Sequence, residues 1–147
     1  MKVSARGRYG LRVLLDVALH QDQGPVALRD VSRRQAISHK YLWQVVNPLR
    51  ASGVLRAIRG SRGGYVLARG PESISVRDIV DVLEGPVCSV ATGSSSRKGD
   101  HAILCTTRDA WAEIEKKLND AMGSITLKDL IRRHGEQESR DVASYMI

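Results

Sequence analysis

Cysteine is scarce in this 147-residue sequence, with two residues in all, and acidic side chains are nearly missing from its first half. Two cysteines in a chain of this length cannot build the disulfide framework of a small secreted domain, and they fit a reducing compartment. No apolar run approaches the roughly 18–20 residues that span a bilayer. The opening Met1-Lys2-Val3-Ser4-Ala5-Arg6 lacks the continuous apolar segment and small-residue cleavage site of a signal peptide. The expectation is therefore a soluble cytoplasmic protein with no membrane partner. No repeat of the 20–50-residue kind is present, so solenoid and propeller architectures are set aside.

The charge is distributed unevenly. Residues 1–70 hold 13 Lys/Arg against 3 Asp/Glu, whereas residues 71–147 hold 10 against 13. A balance of +10 in one half and −3 in the other points the first half at a polyanion and gives the second half another task. A general solubility surface would not segregate charge in this way.

Periodicity and punctuation divide the first half into a regular series. Ser4 is an N-cap for a helix to about His20, with Leu11, Leu14, Leu15 and Ala18 as its apolar face. Gln23-Gly24-Pro25 breaks it. A short helix fits residues 27–35, with Leu28 and Val31 inward. Ser38 caps a third helix beginning at His39, whose apolar positions are Tyr41, Leu42, Val45, Val46 and Leu49. Pro48 inside it removes a backbone donor and is expected to kink or loosen the last turn. Residues 54–59 and 65–68 read as two strands around the basic turn Gly60-Ser61-Arg62-Gly63-Gly64. Ser75 with Asp78 opens a further helix through about Glu84, which Gly85-Pro86 end.

The second half is less regular. Residues 86–105 read as a flexible loop, because 92–100 are small, polar and aperiodic. Thr106 with Asp109 offers an N-cap for a long helix in which Trp111, Ile114, Leu118, Ala121 and Met122 form one stripe. Such a stripe on an arm packs either on its own domain or, after a basic domain, in a dimer interface. Thr126 and Asp129 cap a short final helix to about His134. The expected organisation is a DNA-binding domain at 1–85, the loop at 86–105, dimerisation helices at 106–134 and a tail at 135–147. The fold class is mainly α with a small β-wing: a winged helix-turn-helix plus a long dimerisation helix.

Helix, short turn, helix and wing is a DNA-reading arrangement, because a slim helix with one polar face enters a major groove roughly 12 Å wide. On the third helix the face away from Leu42, Val45 and Leu49 carries His39, Lys40, Trp43, Gln44 and Asn47. Gln44 has the geometry to pair with an adenine edge, and Lys40 reaches guanine or a phosphate. Arg6, Arg8, Arg33, Arg34 and Arg50 suit phosphates, which set affinity rather than sequence choice. Arg59 and Arg62 flank the wing turn, where glycines 60, 63 and 64 are expected to let the backbone approach DNA. Tyr9, Ser38, Tyr41 and Ser61 complete the candidate DNA-binding set. Trp43 reads either as a thymine-methyl contact or as a half-buried core residue, with core or partial burial preferred.

The segments Ser4-Ala5-Arg6-Gly7-Arg8-Tyr9-Gly10, Ile37-Ser38-His39-Lys40-Tyr41-Leu42, 59–67 and Leu83-Glu84-Gly85-Pro86 closely resemble the Rrf-two (Rrf2) family of winged-helix regulators. The resemblance runs over residues 1–86 and resumes at 105–130. It implies a homodimer whose long helix crosses to the partner, and paired winged helices on a palindromic operator in double-stranded DNA. The family includes regulators of iron–sulfur cluster and cysteine metabolism, so the implied function is a repressor of such genes. Where this chain has Trp43 the family pattern usually has an acidic residue, so the resemblance does not extend to the operator sequence.

Several family members hold an iron–sulfur cluster through three cysteines and one further ligand. Here Cys105 matches the last of these, Cys88 lies closer to Gly85-Pro86 than the first does, and no middle cysteine exists. Arg108 stands where some members supply histidine, leaving His101 as a substitute ligand. With two cysteines the expectation is no cofactor; an atypical cluster, a redox-sensing thiol pair and two inert thiols stay open. The end, Tyr145-Met146-Ile147, resembles that of the cysteine-metabolism repressors, which implies cysteine synthase as a partner capturing the terminal carboxylate. An RNA-binding winged helix is the alternative of another class. An enzyme is not expected, since the histidines at 20, 39, 101 and 134 form no nucleophile–base motif with either cysteine.

Overall fold

The computed structural model describes residues 3–86 and 101–146. Helix α1 (Ala5–His20) starts where the Ser4 hydroxyl oxygen accepts the Arg6 N–H, as an N-cap should. Its buried face is Val13, Leu14 and Val17, with Leu11, Leu15 and Ala18 only partly covered. The apolar stripe is thus rotated from the expected one. The cause is that Gly7, Gly10 and the buried Asp16 also face inward, residues that a hydrophobic pattern does not count.

A 3₁₀ turn (Gln21–Gln23) leads to α2 (Leu28–Gln35) and α3 (His39–Ala51). Between them Ala36 adopts a left-handed conformation, φ 52°, which costs an alanine roughly 1–2 kcal/mol. Buried Ile37 holds that turn: its N–H donates to the Ser32 carbonyl, and the Ser32 hydroxyl donates to the Ile37 carbonyl at 2.6 Å. The α3 start is as expected, with Ser38 Oγ accepting from the Tyr41 N–H. Pro48 does not end the helix, which runs three residues further and closes with Ser52 N–H donating to the Pro48 carbonyl. Leu42, Val45, Val46 and Leu49 are fully buried beneath it and hold this turn in place.

Strands β1 (Leu55–Ile58) and β2 (Gly64–Leu67) pair antiparallel, with Leu55 opposite Leu67 and Ile58 opposite Gly64. A third piece joins them that the sequence pattern does not announce: Val26 bridges Tyr65 through reciprocal backbone bonds of 2.9 and 2.8 Å. The wing is thereby tied to the segment before α2. Helix α4 (Val76–Glu84) opens on the expected capping box of Ser75 and Asp78.

Helices α5 (His101–Gly123) and α6 (Leu127–Tyr145) are both longer than the sequence reading. Thr106 does not cap α5; its hydroxyl and that of Thr107 bond back to the carbonyls of Ala102 and Ile103, inside a helix already running. Residues 101–105 of the expected loop at 86–105 are therefore helix, and its residues 87–100 lie outside the described part of the chain. α6 begins on the predicted Thr126–Asp129 capping box but passes His134 to Tyr145, so the supposed tail at 135–146 is mostly helix. Its second half is held by i,i+4 pairs such as Arg132–Glu136 at 2.6 Å and Gln137 with Asp141 at 3.2 Å. Polar pairing of this kind leaves no apolar stripe to read.

One core unites the winged domain, formed by α1, α3 and α4 with the inner residues of β1 and β2. Leu127 at the start of α6 enters it, beside a short backbone bridge in which Leu127 N–H donates to Ile74 and Val76 N–H to Ile125, both at 2.8 Å. No described helix is long and apolar enough to cross a membrane.

Candidate nucleic-acid interface

The outward face of α3 is polar and open. Ser38, His39, Lys40, Gln44 and Asn47 are exposed, while the opposite face is sealed in the core. Trp43, expected in the core or partly buried, keeps 43% of its surface in solvent, so it stands with the polar residues on the outward face and not in the core. Arg50 is exposed at the helix end, and Arg59, Ser61 and Arg62 are exposed on the wing turn. Arg56, absent from the sequence-based set, is exposed on β1; strand alternation would have placed it there.

Other candidates have structural duties. Tyr9 and Tyr41 are half-buried against each other, ring centroids 5.3 Å apart at 87°, with the Arg12 guanidinium 5.4 Å from the Tyr9 ring. They brace α3 on α1, and this edge-to-face geometry is the favourable one for aromatic pairs. Ser38 is occupied as the α3 cap. Arg8 is exposed, whereas Arg6 is half-buried, with its Nε buried and unpaired.

Arg34 is engaged in an ion pair within the domain. Its guanidinium grips both oxygens of Asp16, at 2.6 and 3.0 Å, and Gln35 donates to the same carboxylate at 2.8 Å. Burial works to raise the Asp16 pKa, but donation from Arg34 and Gln35 and the nearby positive charge outweigh it and hold the carboxyl below its ordinary value. The same bond raises Arg34. Arg33 pairs with Asp30 at 3.2 Å and stays largely exposed.

The wing glycines serve the fold before any ligand. Gly60 has φ +124°, and a Cβ on Gly64 would lie 2.5 Å from the Val26 backbone. Close approach to Val26 requires glycine at 64.

The dimer candidates line α5, none of whose 23 residues is buried. Trp111 and Ile114 are 52% and 43% exposed, and Leu118 and Met122 are half-buried. Ile103 and Leu104 extend the exposed apolar stripe upstream, a part hidden from sequence reading by the misplaced start.

For a cluster the donors fit poorly. Cys105 Sγ lies 3.6 Å from His101 Nδ1 and 3.9 Å from the Arg108 guanidinium. Among the described residues no group of three His, Cys, Asp or Glu could hold a metal ion, and a guanidinium beside the thiol repels iron. Cys88 lies outside the described residues, as does Ile147. Tyr145 and Met146 are 91% and 84% exposed at the end of α6.

Comparison with known proteins places this geometry. The family model described as "Rrf2: Iron-dependent Transcriptional regulator" matches residues 3–133. The HTH-type transcriptional regulator CymR of Bacillus subtilis is 36% identical over 140 residues, 95% of this chain and 96% of that protein. The solved structure titled as CymR, the global cysteine regulator of B. subtilis, superposes with a TM-score of 0.77 at 34% identity, covering 90% of this chain and 98% of that one. The structure of T. potens IscR gives 0.76 at 37% identity, covering 93% and 90%.

Proposed function

The chain belongs to the Rrf2 family of transcriptional regulators, and from that premise we propose a homodimeric repressor that sets two winged helices on a palindromic operator. The genes it controls belong to cysteine or iron–sulfur metabolism, the first being what the name of the B. subtilis relative gives for its own case. It works in the cytoplasm and catalyses no reaction. The observation that carries the reading is the shared orientation of chemistry: an exposed polar α3 face and an arginine-bearing wing on the one strongly basic half of the chain. Lys40, Trp43, Gln44 and Asn47 read base edges; Arg8, Arg50, Arg59 and Arg62 hold phosphates.

The signal reaches this dimer without a three-cysteine cluster. Its donor set supports a thiol or a partner protein better, and exposed Tyr145 and Met146 support a partner engaging the carboxy-terminal end, with cysteine synthase as the candidate. Deleting residues 145–147 should abolish co-purification with that enzyme and leave DNA binding intact; retained co-purification removes the partner.

Footprinting on duplex DNA tests the main reading. Protection should cover two half-sites with centres about 10 bp, or a multiple of that, apart. A single unpaired site, or preference for RNA over duplex DNA, would overturn it.

A further inference from the structure

Two of the sequence segments described above, Ser4–Gly10 and Leu83–Pro86, meet in space. Glu84 is the last residue of α4, and its Oε1 accepts from the Ser4 N–H at 3.1 Å, the Gly7 N–H at 2.9 Å and the Ser4 hydroxyl. Ser4 Oγ in turn accepts from Arg6 N–H at 3.0 Å, completing a relay from the α4 carboxylate into the first turn of α1. Two of the N–H groups that a helix start leaves without intrahelical partners are thus served by one distant residue. The carboxylate also lies at the positive end of the α1 dipole.

Two glycines make room for it. A Cβ at Gly7 would sit 2.7 Å from Glu84 Oε1, and one at Gly10 would sit 2.1 Å from Leu83 Cδ1. The Ser4 hydroxyl chiefly lowers the Glu84 pKa, burial opposes it, and the Gly7 and Ser4 amides and Arg6 add to a net lowering. The group is therefore a carboxylate at any pH where DNA binding is measured. An acidic side chain beside arginines that meet a polyanion is otherwise unfavourable for binding.

Resting on the reading of α1 as a phosphate-contacting end, we propose that Glu84 is a positioning residue for DNA binding. It clamps Ser4 and Gly7 so that the first turn of α1 presents Arg8 to the phosphate backbone. The clamp adds more through order than its negative charge takes away through repulsion. That makes the sign of its removal diagnostic: loss of a bare negative charge near DNA strengthens binding, and loss of a clamp weakens it.

The test uses the full-length protein and a short mixed-sequence duplex, since phosphate contacts do not depend on sequence. Glu84→Ala should weaken binding about fivefold and flatten the log-affinity against log-salt slope by about one, the loss of one phosphate contact. Glu84→Gln keeps an acceptor oxygen on the same stem and should restore most of the affinity, although it too lacks the charge. Ser4→Ala, remote from the core, should act in the same direction as Glu84→Ala, and the double variant should be no weaker than Glu84→Ala alone. Arg8→Ala alone should flatten the slope equally, and combined with Glu84→Ala should flatten it no further.

Unchanged or tighter binding by both Glu84→Ala and Ser4→Ala, while Arg8→Ala weakens it, overturns the clamp and leaves the phosphate-contact reading standing. No effect of Arg8→Ala overturns that reading and the clamp with it. If Glu84→Ala folds poorly, Ser4→Ala decides by the same sign.

Discussion

Asp16 is the buried charged residue of the winged domain, 3% exposed, and its carboxylate meets Arg34 and Gln35 from the end of α2. Replacing it by Asn leaves the Arg34 guanidinium facing a neutral amide in a part-buried site. Breaking a buried pair from one side costs about 3–5 kcal/mol, and the Arg34 side chain is 29% exposed, so about 3 kcal/mol is expected for Asp16→Asn. The folded carboxyl titrates below its unfolded value of 3.8. Its contribution is therefore full above about pH 4 and is lost as pH falls through the lower folded value. Urea titrations should show wild type and Asp16→Asn far apart at neutral pH and converging in acid; a constant gap would remove Asp16 from this role. None of this is legible in the sequence. Asp16 reads as a polar interruption of an apolar helix face, and Arg34 as one more phosphate contact, until the fold sets the end of α2 against α1.

The wing separates reading from scaffolding at the level of an element. Its hairpin was legible because alternation on either side of a glycine-rich turn has few other solutions. Val26 was not, since a single bridging residue has no period to detect. The helix-turn-helix was legible to its caps, because Ser38 and Ser75 are local signals. The start of α5 was misplaced because Thr106 fits a cap equally well by type and is distinguished only by where its hydroxyl bonds. The wing accordingly yields a pair of opposite expectations. Arg59→Ala, exposed on the turn, should weaken DNA binding about tenfold and lower the salt slope by about one, with the thermal midpoint unchanged. Gly64→Ala pushes a methyl group against the Val26 backbone and should destabilise by about 2 kcal/mol, with DNA affinity falling only as the wing is displaced. Salt-matched titration together with thermal unfolding separates the two; a stability loss in Arg59→Ala would count against its assignment to DNA.

Across the whole molecule the question is what covers α5. At 1.5 Å per residue its 23 residues make a rod of roughly 35 Å, with Ile103, Leu104, Trp111 and Ile114 in solvent. The same exposed stripe on a second copy, crossing it about a twofold axis, gives each side chain an apolar neighbour. In the proposed dimer it would also fix the spacing between two α3 helices. Two consequences follow that an autonomous monomer would not share. The thermal midpoint of the wild type should rise with protein concentration, because association stabilises the folded state by mass action. Trp111→Glu, placing a charge in the middle of that stripe, should sediment as a monomer with its winged domain intact, since Trp111 is exposed and lies outside the core. Each half-site contact would survive in this variant, but the second would no longer be tethered to the first. Affinity for a two-half-site duplex should then fall by about a hundredfold or more, while affinity for an isolated half-site stays near that of the wild type. A Trp111→Glu protein that remains dimeric, or that binds both duplexes as the wild type does, would move the dimer contact off α5.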